Sequence, residues 1–179
     1  MKQAAFFVGI AAVILYFVGY LQKKRGAIIF LNASSRLLYI IQYIMLGAIT
    51  GAVLDIAGIV SSFLAGLKNK AFIKKHTKLF VVLVSLAIIG AGLLTYKDIF
   101  SLLPIAGVLL HTGAFWMDDE RKIRIVSLLG SPFWLVYNFV SCAYGSCIGD
   151  ILSIVSLGIS IVRYDILPAR ANKEKGEEK

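Results

Sequence analysis

The sequence predicts an all-α, polytopic membrane protein: seven transmembrane helices in a 3+1+3 parallel repeat. Three observations carry that expectation. Apolar runs of bilayer length fill the chain, Lys and Arg concentrate in alternate loops, and one motif occurs twice, 95 residues apart. Of the 179 residues, 59% are hydrophobic and 16% charged, where a soluble domain carries about 25% charged. Mean hydropathy is +0.82. A spanning helix needs about 20 mostly apolar residues, and seven such runs lie at roughly 4–21, 27–46, 48–67, 78–96, 99–117, 123–140 and 145–163.

The first run follows Lys2 and could be read as a signal peptide. No small-x-small cleavage site precedes Gln22-Lys23-Lys24-Arg25, so a retained first helix is expected. The second run carries Asn32, Ser35, Tyr39 and Gln42 at steps of three, four and three, which makes one polar stripe. The third places Gly51, Asp55, Gly58 and Ser62 on one face. The fourth, Leu79 to Tyr96, has no charged residue and no copy elsewhere. It reads as a linker helix facing lipid. Pro104 in the fifth run and Pro132 in the sixth are expected to interrupt helices, since each removes a backbone donor. The sixth repeats the stripe with Ser127, Ser131, Trp134 and Asn138, and the seventh aligns Ser146, Asp150 and Ser153. Small apolar packing is the first reading of Cys142 and Cys147. A disulfide is left open, although a spacing of five suits it poorly if both are helical.

The net charge of +9 is explained by topology rather than by nucleic acid. The loops after the first, third, fifth and seventh runs hold 16 Lys and Arg, against Lys2 and Lys97 on the other side. Cytoplasmic loops carry that excess, so the N-terminus is expected outside and the C-terminus in the cytoplasm.

The repeat is the organising feature. Asp55-Ile-Ala-Gly-Ile-Val-Ser61 returns as Asp150-Ile-Leu-Ser-Ile-Val-Ser156, with five of seven residues matched. Ile10, Ala11, Val13 and Leu15 match Ile105, Ala106, Val108 and Leu110 at the same offset. In the middle helices an offset of 96 sets Ser35 on Ser131, Leu38 on Trp134 and Gln42 on Asn138. The expected layout is a single membrane domain over 1–165, with repeat one at 4–67, a linker helix at 78–96 and repeat two at 99–164. A polar cytoplasmic tail follows at 166–179. Three spans plus one return the chain to the same side, so the halves are parallel. A site between such halves is a recurrent transporter design.

Leu46-Gly-Ala-Ile-Thr-Gly-Ala-Val-Leu-Asp55, Leu128-Leu-Gly-Ser-Pro-Phe-Trp-Leu-Val-Tyr-Asn138 and the closing Arg163-Tyr164-Asp165 resemble the YgjV-type bacterial inner-membrane proteins, nearly to the end of the chain. The resemblance implies a multi-pass protein of the bacterial inner membrane. The 3+1+3 layout is in turn similar to the SWEET sugar transporters, the PQ-loop proteins and the nicotinamide riboside carriers. No Pro-Gln pair is present: Pro104 precedes Ile105 and Pro132 precedes Phe133. Sugar specificity is therefore not carried over.

Ionisable residues inside a span are costly and mark functional sites. Asp55 and Asp150 are expected to line a polar cavity about one to two helical turns below the outer surface, bordered by Gln42, Asn138 and Trp134, with Asn32 and Tyr39 on the same stripe. Arg36, near mid-depth, has two readings: an ion pair with Asp55, or a carboxylate or phosphate clamp. His111, which matches Tyr16 in the repeat, reads as a satisfied interior histidine or a proton relay. The sequence holds no metal-ligand cluster, phosphate loop or nucleophile–base motif, so neither an enzyme nor a cofactor is expected. Two function classes remain. One is a uniporter or proton-coupled carrier of a small polar solute. The other is a non-transporting receptor or scaffold of the same fold. The expected partners are that solute, protons and the bilayer; a homo-oligomer is left open.

Overall fold

In hydrocarbon a backbone must satisfy its own N–H and C=O groups, which an apolar run does by coiling into a helix. The computed structural model describes residues 2–20 and 25–167; the side chains of residues 19, 20, 25–29, 32, 33 and 120 lie outside the described set, as does the polar tail from residue 168. The regular elements among the described residues are all helical: α1 Lys2–Tyr20, α2 Arg25–Leu46, α3 Ile49–Gly66, α4 Ala71–Lys75, α5 Thr77–Leu94, α6 Leu102–Trp116, α7 Glu120–Val140 and α8 Tyr144–Ile161. A 3-10 turn, Ile99–Ser101, leads into α6, and a π-helical turn, Val162–Ile166, extends α8.

Five segments among the described residues are long and apolar enough to cross a membrane: Ile49–Gly66, Thr77–Leu94, Ile99–Trp116, Arg121–Val140 and Tyr144–Ile166. That is short of the seven expected. The described apolar part of α1, Lys2–Val18, is shorter than a full span. In α2 the side chains of residues 25–29, 32 and 33 lie outside the described set, so α2 is not counted among these five. The fold also adds a helix to the expected loop between the third and fourth runs, the short α4. Pro104 does not interrupt a helix. It is the third residue of α6, in the first turn, where no backbone donor is required. Pro132 lies inside α7, which runs on through it unbroken from Glu120 to Val140, so it does not interrupt that helix either.

One backbone turn occurs twice. After α2, Gly47 takes φ +72°, its N–H donates to Ile44 O and the N–H of Ala48 donates to Tyr43 O at 2.9 Å. After α7, Cys142 takes φ +58°, its N–H donates to Phe139 O and the N–H of Ala143 donates to Asn138 O at 2.8 Å. Both are left-handed helix stops of the Schellman type. Every atom pair recurs at an offset of 95. Glycine adopts this conformation freely and cysteine does not. Cys142 and Cys147 are both free thiols.

Packing recurs in the same way. α1 packs on α2 and on α8; α6 packs on α7 and on α3; α2 meets α3 as α7 meets α8. Each first helix therefore packs against the last helix of the other half. At α1–α8 the backbones touch: a Cβ on Gly145 would stand 2.8 Å from Phe6 O and 2.9 Å from the Cα of Gly9, the close approach that small residues permit. α5 leans on α3 and α6 and buries only Ile88 and Gly92.

The two ends of the bundle are tied differently. At the Gly47 end, the Thr50 hydroxyl donates to Thr95 O at 2.6 Å, and Asp98 caps the turn before α6 by accepting from the N–H groups of Phe100 and Ser101. The Lys68 end is ionic. Lys68 Nζ lies 2.8 Å from both Met117 O and Asp118 Oδ1, and that ammonium holds the Asp118 carboxyl below its usual range. Arg124 forks onto Asp165 at 3.0 and 2.7 Å. Asp119 caps α7, accepting from the N–H groups of Arg121 and Lys122.

Candidate functional site

Asp55 and Asp150 each stand six residues into their helices, α3 and α8, about 9 Å along the axis at 1.5 Å per residue. Both reach one cavity of about 80 Å³. Its wall includes Arg36, Tyr39 and Tyr43 of α2, His111 of α6, Ser131, Trp134 and Asn138 of α7, and Ser146, Gly149 and Ser153 of α8; Tyr16 of α1 completes it. Seven of the nine candidate residues thus share this space: Arg36, Tyr39, Asp55, His111, Trp134, Asn138 and Asp150. The side chain of Asn32 lies outside the described residues.

Gln42 is fully buried but is not part of the wall. It sits one step toward the Gly47 end, where its Oε1 accepts from the Ser146 hydroxyl at 2.5 Å. The offset of 96 expected for the middle helices fails here. The Tyr43 hydroxyl donates to Asn138 Oδ1 at 2.7 Å, and these two residues are 95 apart. The N–H of Gly51 donates to the Tyr137 hydroxyl at 2.9 Å. Shifting those partners by 95 gives Ser146 and Gln42, the other cross-bond. The physical reason lies in the turn. With Tyr43 O and Asn138 O as equivalent acceptors at the two helix stops, the last turns of α2 and α7 are locked at 95. Tyr43, rather than Gln42, is therefore the counterpart of Asn138. The sequence signal that could have found Tyr43 was the same offset carried through without a break.

The two carboxylates have unlike partners. Asp55 Oδ1 accepts from Arg36 Nη1 at 2.7 Å, with both side chains largely withdrawn from solvent. The ion-pair reading of Arg36 is the one the geometry satisfies. Asp150 Oδ2 accepts only from the neutral Asn138 Nδ2, at 2.7 Å. Among the described residues its other oxygen has no hydrogen-bond partner. His111 is not a fully satisfied interior histidine: its Nε2 is buried without a partner, and so is Arg36 Nε.

Between this cavity and the Gly47 end stands a packed layer. Tyr43 stacks with Trp134 at 6.3 Å between centroids and an interplanar angle of 21°. Tyr137 meets both rings edge-on or tilted at 6.2 Å. The Tyr43–Asn138, Tyr137–Gly51 and Gln42–Ser146 bonds run through the same layer. Beyond it opens a larger recess of about 490 Å³, lined by Lys2, Thr50, Lys97, Asp98, Ser101 and Tyr137 among others.

A family model described as bacterial inner membrane protein, Imp-YgjV, matches residues 3–166. The chain belongs to that family. Neither the curated proteins nor the solved structures yield a match. Membership makes this a bacterial inner-membrane protein, and Asp55 and Asp150 fall within segments long and apolar enough to cross a membrane.

Proposed function

We propose that this YgjV-type protein is a carrier of a small polar solute, a uniporter or a proton-coupled transporter, working by alternating access between two three-helix halves. The halves are α1–α3 and α6–α8, related by a parallel pseudo-two-fold axis, with α5 as the linker between them. In this reading the 3+1+3 layout has seven spans, α1 and α2 included, as in SWEET-like folds. The Tyr43–Asn138 bond then joins equivalent residues across the axis. The positive-inside count sets the Gly47 end outward and the Lys68 end in the cytoplasm.

One observation carries the reading. A polar cavity walled by both halves lies under a layer whose bonds are all between halves, and a recess lies beyond that layer. Contacts made only between two bodies are the ones that rocking would break. In a scaffold, the acids would be bonded off, yet Asp150 keeps an unengaged oxygen. With the layer closed, the cavity has room for roughly two to three waters, as fits a carrier caught with its outer side shut. Site roles follow from position. Asp55 and Arg36 form a neutral pair, Asp150 and Asn138 meet the solute or a proton, and Trp134 and Tyr39 supply flat walls. No catalytic step belongs to this reading.

The test needs no known substrate. Ser153→Cys, in a protein otherwise free of cysteine, is exposed to an impermeant maleimide from each side of sealed vesicles. A carrier is expected to label from both sides, and the Lys97 side is expected to label faster once Tyr43→Phe and Tyr137→Phe have removed two bonds of the layer. Labelling from one side alone, in both backgrounds, would return the protein to the receptor or scaffold class.

A further inference from the structure

The wall of the central cavity is unusual in what it leaves uncompensated. Of its three charged side chains, Arg36 and Asp55 cancel through their 2.7 Å contact. Asp150 remains, held by a neutral amide. Around it stand Tyr16, Tyr39, Tyr43 and Trp134. The Tyr43 hydroxyl is committed to Asn138, and its ring stacks with Trp134 at the cavity wall. An aromatic face attracts a cation within about 6 Å of the ring centroid, and a desolvated site strengthens the attraction. His111 adds an imidazole whose buried Nε2 has no partner. The cavity is about 80 Å³, which suits a small guest.

We propose that the cavity binds a small organic cation of the ammonium type, with Asp150 as its counter-charge and Trp134, Tyr39 and Tyr43 as its aromatic wall. The proposal rests on the carrier reading for its biological sense, but the binding site stands without it. A neutral solute of the same shape would leave the Asp150 oxygen unmatched. An anion would meet that carboxylate, and the Arg36–Asp55 pair brings no net positive charge to offset it.

The experiment is thermal unfolding of the full chain in detergent, titrated with methylammonium, dimethylammonium and tetramethylammonium chlorides at constant ionic strength. Sodium acetate and tert-butanol serve as the anion and the neutral isostere. Saturable stabilisation by at least one of the three cations, with none from acetate or tert-butanol, is expected, since a ligand of the native state raises its melting point. Asp150→Asn and Trp134→Leu are each expected to weaken the apparent affinity by about tenfold. Trp134→Phe should retain binding, and Asp118→Asn, far away at the Lys68 end, should not change it. Unliganded melting curves separate lost binding from lost fold; if Asp150→Asn does not fold, Asp150→Glu and Trp134→Leu carry the test. Equal stabilisation by tert-butanol, or by none of the cations, would overturn the cation site. Uptake of radiolabelled methylammonium into proteoliposomes separates the two claims. Binding without uptake keeps the cation site and removes the carrier. Two-sided labelling of position 153 with no cation binding removes the cation site and keeps the carrier.

Discussion

Asp55 and Asp150 occupy equivalent positions and have opposite energetic standing. Asp55 neutralises a buried guanidinium at 2.7 Å. Removing one partner of such a pair strands the other charge, which costs about 3–5 kcal/mol. Asp150 accepts a single bond from a neutral amide, and a hydrogen bond to a charged group contributes about 1.5–3 kcal/mol net. Asp55→Asn is therefore expected to lower the unfolding free energy more than Asp150→Asn, measured by denaturant melts in one detergent. The double variant Arg36→Met, Asp55→Leu should recover most of the loss, because neither charge is then left alone. Equal losses from the two single variants would mean that the ion pair does not set the stability of this site.

At the scale of elements, the helix stops after α2 and α7 fix the register of everything that follows. Both turn through a left-handed residue, and only the first has glycine there. A side chain in that conformation costs about 1 kcal/mol or more. Cys142→Gly should raise stability by about that amount, and Gly47→Ala should lower it comparably. Differential scanning of the two variants decides it; a lower melting temperature for Cys142→Gly would show that the thiol's packing outweighs the backbone strain. Much of this was legible in the chain. The offset of 95 is written in the aspartate motifs and in the Ile10–Leu15 match. Ser35 on Ser131 is a chance serine match that draws the offset to 96 and sets Gln42 where Tyr43 belongs. Serine recurs often enough in membrane helices to align by accident, whereas a backbone turn aligns only where its hydrogen bonds do.

For the whole molecule, the charge distribution predicts which end faces the cytoplasm. Among the described residues Lys68, Lys70, Lys74, Lys75, Lys78, Arg121, Lys122 and Arg124 stand at the Lys68 end, and Lys2 and Lys97 at the other. On a background with Cys142→Gly and Cys147→Ala, Lys97→Cys is expected to react with an impermeant maleimide in intact cells. Lys70→Cys is expected to react only after permeabilisation. The reverse pattern would invert the bundle and with it the assignment of the closed layer to the outer side.

The sequence by itself determined the class of the protein and the positions of its buried acids. Hydropathy and charge alternation are sums over many residues, and a repeated motif is a comparison of the chain with itself; none of these needs a second helix in place. Tertiary structure alone decided which acid is neutralised, that Tyr43 faces Asn138, and that Gln42 turns to Ser146 instead of the cavity. The spacing of a stripe says which residues share a face of one helix. It does not say how far that face is rotated, or how deep it sits, against its neighbour. A hydrogen bond between helices forms or fails over less than an ångström, so the partner of each buried polar group is fixed only when α1, α2 and α3 are packed against α6, α7 and α8.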